Sequence, residues 1–207
     1  NKYQFFIYSD FGRNKKEINL VKNVRNFLEQ LNLKKTLKFQ KKNLGTNEIF
    51  KLSLKNTLKK NSKIVIFEED IIPGNYTLEY FEKIFNIIDK IKDAEFITAH
   101  SLNIKKRAKS LKQLFISKRI NLWGIGFNKK TFKKIVFNEK LLRKACLKNK
   151  NFLKIYKNFD DSLVYEINKF LYKSKNINMD VKFQINSLLK KMYTITPKNS
   201  LVLNYGI

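Results

Sequence analysis

The chain has 207 residues, enough for one domain with a sizeable core. Its 43% hydrophobic and 29% charged residues are typical of a folded globular protein, while one cysteine and one histidine argue against a disulfide framework, a Cys- or His-built metal site and a Ser-His-Asp triad. Lys+Arg number 44 and Asp+Glu 17, so the formal net charge of +27 favours anionic partners: nucleic acid, a nucleotide-sugar or an anionic membrane face. Only five of the 44 basic residues are arginine, the residue that sequence-specific nucleic-acid readers favour, so no specific nucleic acid is expected as a partner.

The first half of the chain alternates apolar runs with amphipathic stretches. Continuous apolar runs predict strands, and apolar residues spaced three or four apart predict helices. The strands are predicted at 5–8, 37–39, 63–67 and 94–99, and the helices at 16–31, 47–60 and 77–91. This alternation predicts an α/β fold with a largely parallel sheet flanked by helices. No run of 18 apolar residues occurs, so no transmembrane helix is expected, and the first residues carry no signal-peptide pattern.

The second half of the chain is less regular than the first. Residues 101–118 are a basic stretch predicted to be a loop, and 121–127 are an apolar segment punctuated by glycines. Helices are predicted at 129–136, 139–147, 160–173 and 180–191, and short strands at 193–197 and 201–204. Without repeats, low-complexity tracts or a clear boundary, the pattern indicates one domain over 1–207.

Three adjacent acids, Glu68, Glu69 and Asp70, follow the clearest apolar run. In open α/β sheets, ligands bind beyond the carboxyl ends of the strands. Adjacent carboxylates repel one another unless a cation or hydrogen-bond donors neutralise them, and Mg²⁺ or Mn²⁺ prefers such oxygen ligands. The alternative is a solvated acidic turn among lysines.

The segment Ile64-Val65-Ile66-Phe67-Glu68-Glu69-Asp70-Ile71 resembles the metal motif of GT-A nucleotide-sugar glycosyltransferases, in which an apolar strand leads into Glu-Asp-Asp. Among these, the chain is most similar to bacterial sugar transferases related to the N-acetylglucosaminyltransferase I superfamily. Four further segments match in the family's order. They are Tyr8–Arg13, Asn43-Leu44-Gly45, Ser117–Gly126 and Thr196–Gly206.

The resemblance implies a metal-dependent hexosyl- or N-acetylhexosaminyltransferase of GT-A fold, with Mn²⁺ or Mg²⁺ as cofactor. Its donor would be a UDP-sugar and its acceptor a glycan or lipid-linked molecule, as in the synthesis of bacterial cell-surface polysaccharides. The less regular C-terminal half of the domain would form the acceptor side. The expected location is the cytoplasm, with peripheral contact between the basic surface and the anionic inner face of the membrane.

The resemblance also implies roles for individual residues near the acidic motif. Asp70 would bind the metal directly, Glu69 would face the ribose or the metal, and Glu68 would face the donor sugar. Trp123 and Gly124 would lie under that sugar. The family usually has Asp where this chain has Glu69, and simple core packing is the alternative for Trp123.

A second group of implied nucleotide contacts lies near the start of the chain. Asp10 would accept a hydrogen bond from the uracil or ribose, Asn43 and Gly45 would shape the loop beside the nucleotide, and Arg13 would meet the phosphates. An Asx turn that closes the loop is the rival interpretation of Asp10. An ordinary turn and a solvated basic loop are the rivals for the other three.

An inverting transfer needs a carboxylate to take the proton of the acceptor hydroxyl. By its position before Pro197, Asp180 fits that role in the family best, and the pair Asp160 and Asp161 is the second candidate. For all three, the alternative is a cap or first-turn acid at the start of a helix.

Two departures from the family keep other hypotheses open. The chain starts at what resembles the family's second strand and stops before the family's C-terminal end, so we expect the first strand and that end to be lacking. The alternatives are therefore a basic nucleic-acid-binding protein with steeply salt-dependent binding, and a catalytically degenerate homologue that binds glycans.

Overall fold

The computed structural model describes residues 3–101, 113–173 and 176–206. Their contacts divide the chain into two compact units, Asn1–Asn61 and Ser62–Ile207. The single domain over 1–207 therefore stays a prediction.

The first unit consists of two strands and two helices in the predicted order. They are β1 (Phe5–Ser9), α1 (Lys15–Gln30), β2 (Lys35–Phe39) and α2 (Thr46–Lys60). The strands pair in parallel, with Phe5 opposite Lys35 and Ser9 opposite Phe39. Gly12 allows α1 to start close to the end of β1, since a Cβ there would lie 2.4 Å from the backbone nitrogen of Ile18.

The second unit is built around a five-stranded sheet. Its strands are β3 (Lys63–Ile66), β5 (Ala94–Thr98), β6 (Leu114–Ser117), β7 (Ile125–Asn128) and β8 (Tyr193–Pro197), in the spatial order β3-β7-β5-β8-β6. Only β5 and β8 pair in parallel, because β7 enters antiparallel between β3 and β5 and β6 adds antiparallel to β8. The α/β class is confirmed, but the sheet is mixed where a largely parallel one was predicted.

A small antiparallel ribbon stands beside this sheet, formed by β4 (Ile71–Pro73) and β9 (Val202–Asn204). Residues 71–75 were predicted to be only a turn. Gly74 donates to Leu201 and Tyr205 donates to Asp70 across the ribbon, so Pro73 falls at a position whose nitrogen faces away from β9. A proline is therefore tolerated in this strand, because it removes no ladder hydrogen bond.

The helices of the second unit fall close to the predicted ranges, with one addition. They are α3 (Thr77–Phe85), α4 (Lys129–Lys134), α5 (Glu139–Lys148), α6 (Lys150–Ile155), α7 (Asp161–Tyr172) and α8 (Met179–Lys190). The additional helix is α6, which was not predicted from the sequence. Among the described helices, none is long and apolar enough to cross a bilayer.

Part of the basic stretch predicted to be a loop is a strand. Leu114–Ser117 form β6, while residues 102–112 lie outside the described residues. In β6, Leu114 and Ile116 are exposed while Phe115 and Ser117 are partly buried. Only three consecutive apolar residues, Leu114-Phe115-Ile116, mark this strand, and they follow a long basic stretch, so the sequence pattern did not separate β6 from the predicted loop.

Candidate active site

The candidate site lies at the end of the five-stranded sheet where β3 and β5 finish and β7 begins, which is called the carboxyl edge below. Ile66 of β3 and Thr98 of β5 both pair with Ile125 of β7, so these three residues form one rung of the sheet. The residues just beyond β3 and β5 therefore lie beside those just before β7. This brings the acidic motif, Ala99-His100 and Trp123-Gly124 to the same edge.

The acidic motif turns away from β3 before β4 begins. Glu68 is half-buried, and Glu69 is exposed. Burial, together with the charges of Asp180, Asp70 and Glu69, raises the pKa of Glu68 to about 7. At neutral pH this carboxyl is therefore divided between its charged and protonated forms.

Asp70 combines a fixed backbone with an unsatisfied carboxylate. Its carbonyl accepts from the backbone of Tyr205 at 2.9 Å. Within the described residues, the buried Oδ1 has no hydrogen-bond partner. Gly206 packs against the same carboxylate so closely that a Cβ there would lie 2.1 Å from Oδ2. A buried carboxylate oxygen without a donor is costly and needs an explanation, such as a bound ion.

Asp180 reaches the same edge from the start of α8. This helix is joined to β8 by a tight turn, so it runs antiparallel to that strand and begins at the carboxyl end of the sheet. The charge of Asp180 acts on Glu68, which places the two acids near each other. Although Asp180 is exposed, the protein around it removes enough water to raise its pKa, an effect opposed by a backbone hydrogen bond and the charge of Arg119.

Buried polar side chains of α8 hold that helix in place. Gln184 accepts from the backbone of Ile120 at 2.9 Å and donates to that of Lys118 at 2.8 Å. Asn186 makes the same pair of bonds with Val136, at 2.8 and 3.1 Å. Each amide thus satisfies one backbone N–H and one backbone carbonyl of the segment beside it. These bonds hold α8, which carries Asp180, in place.

The other candidate base residues begin α7. Asp160 caps this helix, accepting from the backbone of Leu163 at 3.0 Å and from the hydroxyl of Ser162 at 2.6 Å. Burial alone would raise the pKa of Asp160, but these bonds and the charge of Arg119, 3.6 Å away, lower it. Asp161 is exposed in the first turn. Asp160 therefore has the contacts of a helix cap and Asp180 does not.

Trp123 and Gly124 close the edge on the side of β7. Gly124 adopts a positive φ of 69°, and a Cβ there would lie 3.0 Å from Ala99 and 3.1 Å from the ring of Phe67. The Trp123 backbone is fixed by the side chain of Asn121 at 2.7 Å, and its half-buried indole packs on the apolar cluster below. The indole also meets the ring of His100 edge to face, with centroids 4.7 Å apart.

In the first unit, Asp10 holds two loops together. Its carboxylate accepts from the backbone of Phe11 at 2.9 Å, Leu44 at 2.9 Å and Gly45 at 2.8 Å. Gly45 has a positive φ of 77°, and the Asn43 side chain donates back to Phe11. These are the contacts of a turn that the carboxylate closes, which was the rival interpretation of Asp10.

Arg13 and Arg25 differ in their surroundings within this unit. Arg13 is 75% exposed and forms an ion pair of 2.8 Å with Glu17. Arg25 donates to the backbone oxygens of Ser9, Asp10 and Gln40 and lies over the rings of Phe11 and Phe39. Arg25 has no role among the sequence-based predictions, since nothing in the sequence around a helical arginine indicates such long-range bonds.

The residues of the second unit fit a divalent cation of the oxygen-preferring kind. Within the described ranges, no group of three or more His, Cys, Asp or Glu side chains is arranged to hold a metal by itself. Magnesium sites often use one or two carboxylates and complete the shell with phosphate and water. The buried Oδ1 of Asp70, in the negative potential of the neighbouring acids, suits that arrangement.

Two residues at this edge, Arg119 and His100, have no role among the sequence-based predictions. Arg119, which faces both Asp160 and Asp180, was visible only as part of the segment before Trp123. His100 was visible only as a polar residue after an apolar strand.

In a comparison with known proteins, the sequence matches no family model and no curated protein sequence.

Proposed function

We propose that this chain is a metal-dependent glycosyltransferase of the GT-A kind that moves a sugar from a UDP-sugar to a glycan or lipid-linked acceptor. One observation carries the proposal: Glu68, Asp70 and Asp180 lie together at the carboxyl edge of the sheet in a chain of net charge +27. An acidic site in so basic a protein is suited to a cation that joins carboxylates to a phosphate-bearing ligand. The choice of a nucleotide-sugar as that ligand rests on the resemblance of the sequence motifs to those of GT-A glycosyltransferases.

In this proposal, Asp70 holds the ion, and Glu69 adds a carboxylate beside it or beside the ribose. The ion, when bound, supplies positive charge to the diphosphate of the donor. Glu68 faces the donor sugar, whose hydroxyl groups can donate hydrogen bonds to its carboxylate. The contacts that the resemblance implies for Asp10, Arg13, Asn43 and Gly45 in the first unit stay predictions.

Asp180 acts as the base in an inverting transfer. Its carboxylate takes the proton of the acceptor hydroxyl while that oxygen bonds to the anomeric carbon. The bond from the anomeric carbon to the diphosphate oxygen breaks in the same step, and its electrons leave with UDP. The raised pKa makes Asp180 a better proton acceptor than an ordinary aspartate.

An exposed apolar surface next to the acidic motif supports the proposal that a glycan or lipid-linked acceptor binds there. Ile72 and Leu203 pair across the β4–β9 ribbon and are 51% and 61% exposed, and Tyr76 and Tyr205 are exposed nearby. The negative faces of tyrosine rings attract the weakly positive C–H groups of a sugar ring. We also propose a cytoplasmic location, with lysines of the basic surface in contact with anionic lipid.

The decisive experiment is calorimetric binding of UDP, GDP, CMP and UDP-sugars, with and without Mn²⁺ at moderate salt. We expect Mn²⁺-dependent, nucleotide-selective binding by the wild type. Asp70→Asn, which preserves the shape of the side chain, should abolish the Mn²⁺ dependence. Asp89→Asn changes an exposed acid outside the site and should bind like the wild type.

The outcomes separate the proposal from its rivals. Weak binding of every polyanion alike, fading as salt rises, would replace the transferase with a general anion-binding protein such as a nucleic-acid binder. Glycan binding without any nucleotide binding would indicate a degenerate homologue. Unchanged Mn²⁺ dependence in Asp70→Asn would remove Asp70 as the ligand.

A further inference from the structure

His100 stands at the sheet edge but takes no part in the mechanism above. It follows β5 by two residues, just as Glu68 follows β3 and Trp123 precedes β7. Since Ile66, Thr98 and Ile125 share one rung, these three side chains begin from neighbouring positions. The imidazole is half-buried and fixed against the indole of Trp123.

Ser200 is the hydrogen-bond partner of Nδ1 of His100. Its hydroxyl oxygen lies 3.1 Å from Nδ1 of His100, 3.1 Å from the carbonyl of Val202 and 3.3 Å from the backbone nitrogen of Ser101. The carbonyl can only accept, and we assign the single hydroxyl proton to it. Nδ1 of His100 then donates to Ser200, which leaves Nε2 with a lone pair.

The neighbours of this network fix its geometry. Val202 lies opposite Pro73, at a position where its carbonyl faces away from β4 and toward Ser200. Ser101 also donates through its own hydroxyl to the carbonyl of Lys198 at 2.7 Å. Among the described residues, none bonds to Nε2 of His100. Burial lowers the pKa of His100, so the ring stays neutral and keeps this lone pair at neutral pH.

We infer that Nε2 of His100 accepts a hydrogen bond from a hydroxyl of the transferred sugar, beside Trp123. This inference rests on the proposed function and adds a residue that binds the sugar but not the nucleotide. Its basis is the neutral, oriented acceptor at the edge that also carries Glu68. A sugar hydroxyl is the matching donor, whereas a phosphate oxygen has no proton to offer and would be repelled by the lone pair.

The first part of the test uses the fact that this chain has one histidine, so its imidazole gives a single NMR spin system. Long-range ¹H–¹⁵N spectra should show Nδ1 protonated and Nε2 bare in the free protein. Ser200→Ala should shift the balance toward the other tautomer. A wild-type imidazole protonated at Nε2 would overturn the inference, whatever the chain binds.

The second part compares UDP with UDP-glucose, UDP-galactose and UDP-N-acetylglucosamine, in Mg²⁺. We expect the Nε2 resonance to move with the best-bound UDP-sugar and not with UDP. His100→Phe should weaken that UDP-sugar about five- to tenfold, the value of one neutral hydrogen bond, and leave UDP unchanged. His100→Gln, whose amide oxygen reaches a similar position, should recover most of the loss.

Failure of the inference differs from failure of the proposed function. If the wild type binds UDP and the UDP-sugar, and His100→Phe binds both equally well, the inference alone is wrong. An equal loss for UDP and UDP-sugar would make His100 a structural residue and would also overturn it. If the wild type binds no nucleotide, the proposed function is wrong and the inference fails with it.

Discussion

Asp10 in the first unit and Asp70 in the second unit both follow an apolar strand, yet their carboxylates differ in what surrounds them. Asp10 accepts three backbone hydrogen bonds, from Phe11, Leu44 and Gly45. Asp70 has a buried oxygen with no partner among the described residues and stands beside other acids. A carboxylate already satisfied by the chain stabilises the fold, whereas an unsatisfied one among like charges is suited to bind a ligand.

The two candidate bases also differ in their surroundings. Asp160 is satisfied by its cap bonds and by Arg119, and its pKa is lowered. Asp180 is carried on a clamped helix toward Glu68, and its pKa is raised. Substitution of Asp10 or Asp160 should therefore change the free energy of unfolding, and substitution of Asp70 or Asp180 should change binding or catalysis.

The largest expected effect is on catalysis. Asp180→Asn removes the base without changing the shape of the side chain, so sugar transfer should fall about 10²- to 10⁴-fold. Binding of UDP in Mn²⁺ should not change, because Asp180 takes no part in it. The measurement is UDP release from the bound UDP-sugar in the presence of glycan acceptors. Retained transfer would shift the role of the base to Asp160 or Asp161.

The next effect is on the stability of the first unit. Asp10→Ala leaves the backbone nitrogens of Phe11, Leu44 and Gly45 without their acceptor, so the free energy of unfolding should fall by about 3 kcal/mol. Urea denaturation measures this, with Asp89→Ala as a control expected to stay within about 0.5 kcal/mol of the wild type. If Asp10→Ala is as stable as the wild type but loses nucleotide binding, Asp10 is a ligand-binding residue and not one that stabilises the fold.

A smaller effect concerns pH. Because the pKa of Glu68 rises from 4.5 to about 7 on folding, the folded state binds this proton more tightly than the unfolded state does. The resulting stability is present below pH 4.5 and is lost as pH rises through about 7. In metal-free buffer, Glu68→Gln should match the stability of the wild type at low pH. At pH 8 its free energy of unfolding should exceed that of the wild type by about 1–2 kcal/mol, less than a fully buried carboxyl would give, because solvent screens part of the effect. Parallel stability curves for the two proteins would contradict the raised pKa.

The smallest effect concerns the cap of α7. Asp160→Ala removes the acceptor for Leu163 and should cost about 1 kcal/mol of stability. Asp160→Asn keeps a good cap and should cost a few tenths of that, while both variants should retain transfer. Loss of transfer in Asp160→Asn, with stability unchanged, would identify Asp160 as the base after all.

The sequence determined the local elements well, for a physical reason. α1, α2, α7 and β8 repeat their apolar residues with the period of the structure they form, and β3 is one continuous apolar run. The position of the acids after β3 is equally readable, since it needs only the end of one apolar run. The short elements β4, β6 and α6 have only two or three apolar residues each, too few to show a period.

Only the tertiary structure decided which of these residues meet. The mixed direction of the sheet depends on pairing between distant segments, and no local pattern fixes where β7 inserts. Asp180 meets Glu68 because α8 is clamped through Gln184 and Asn186 to loops far away in the sequence. The sequence by itself thus supplied the list of acids; the long-range hydrogen bonds decided which are satisfied and which remain available to a ligand.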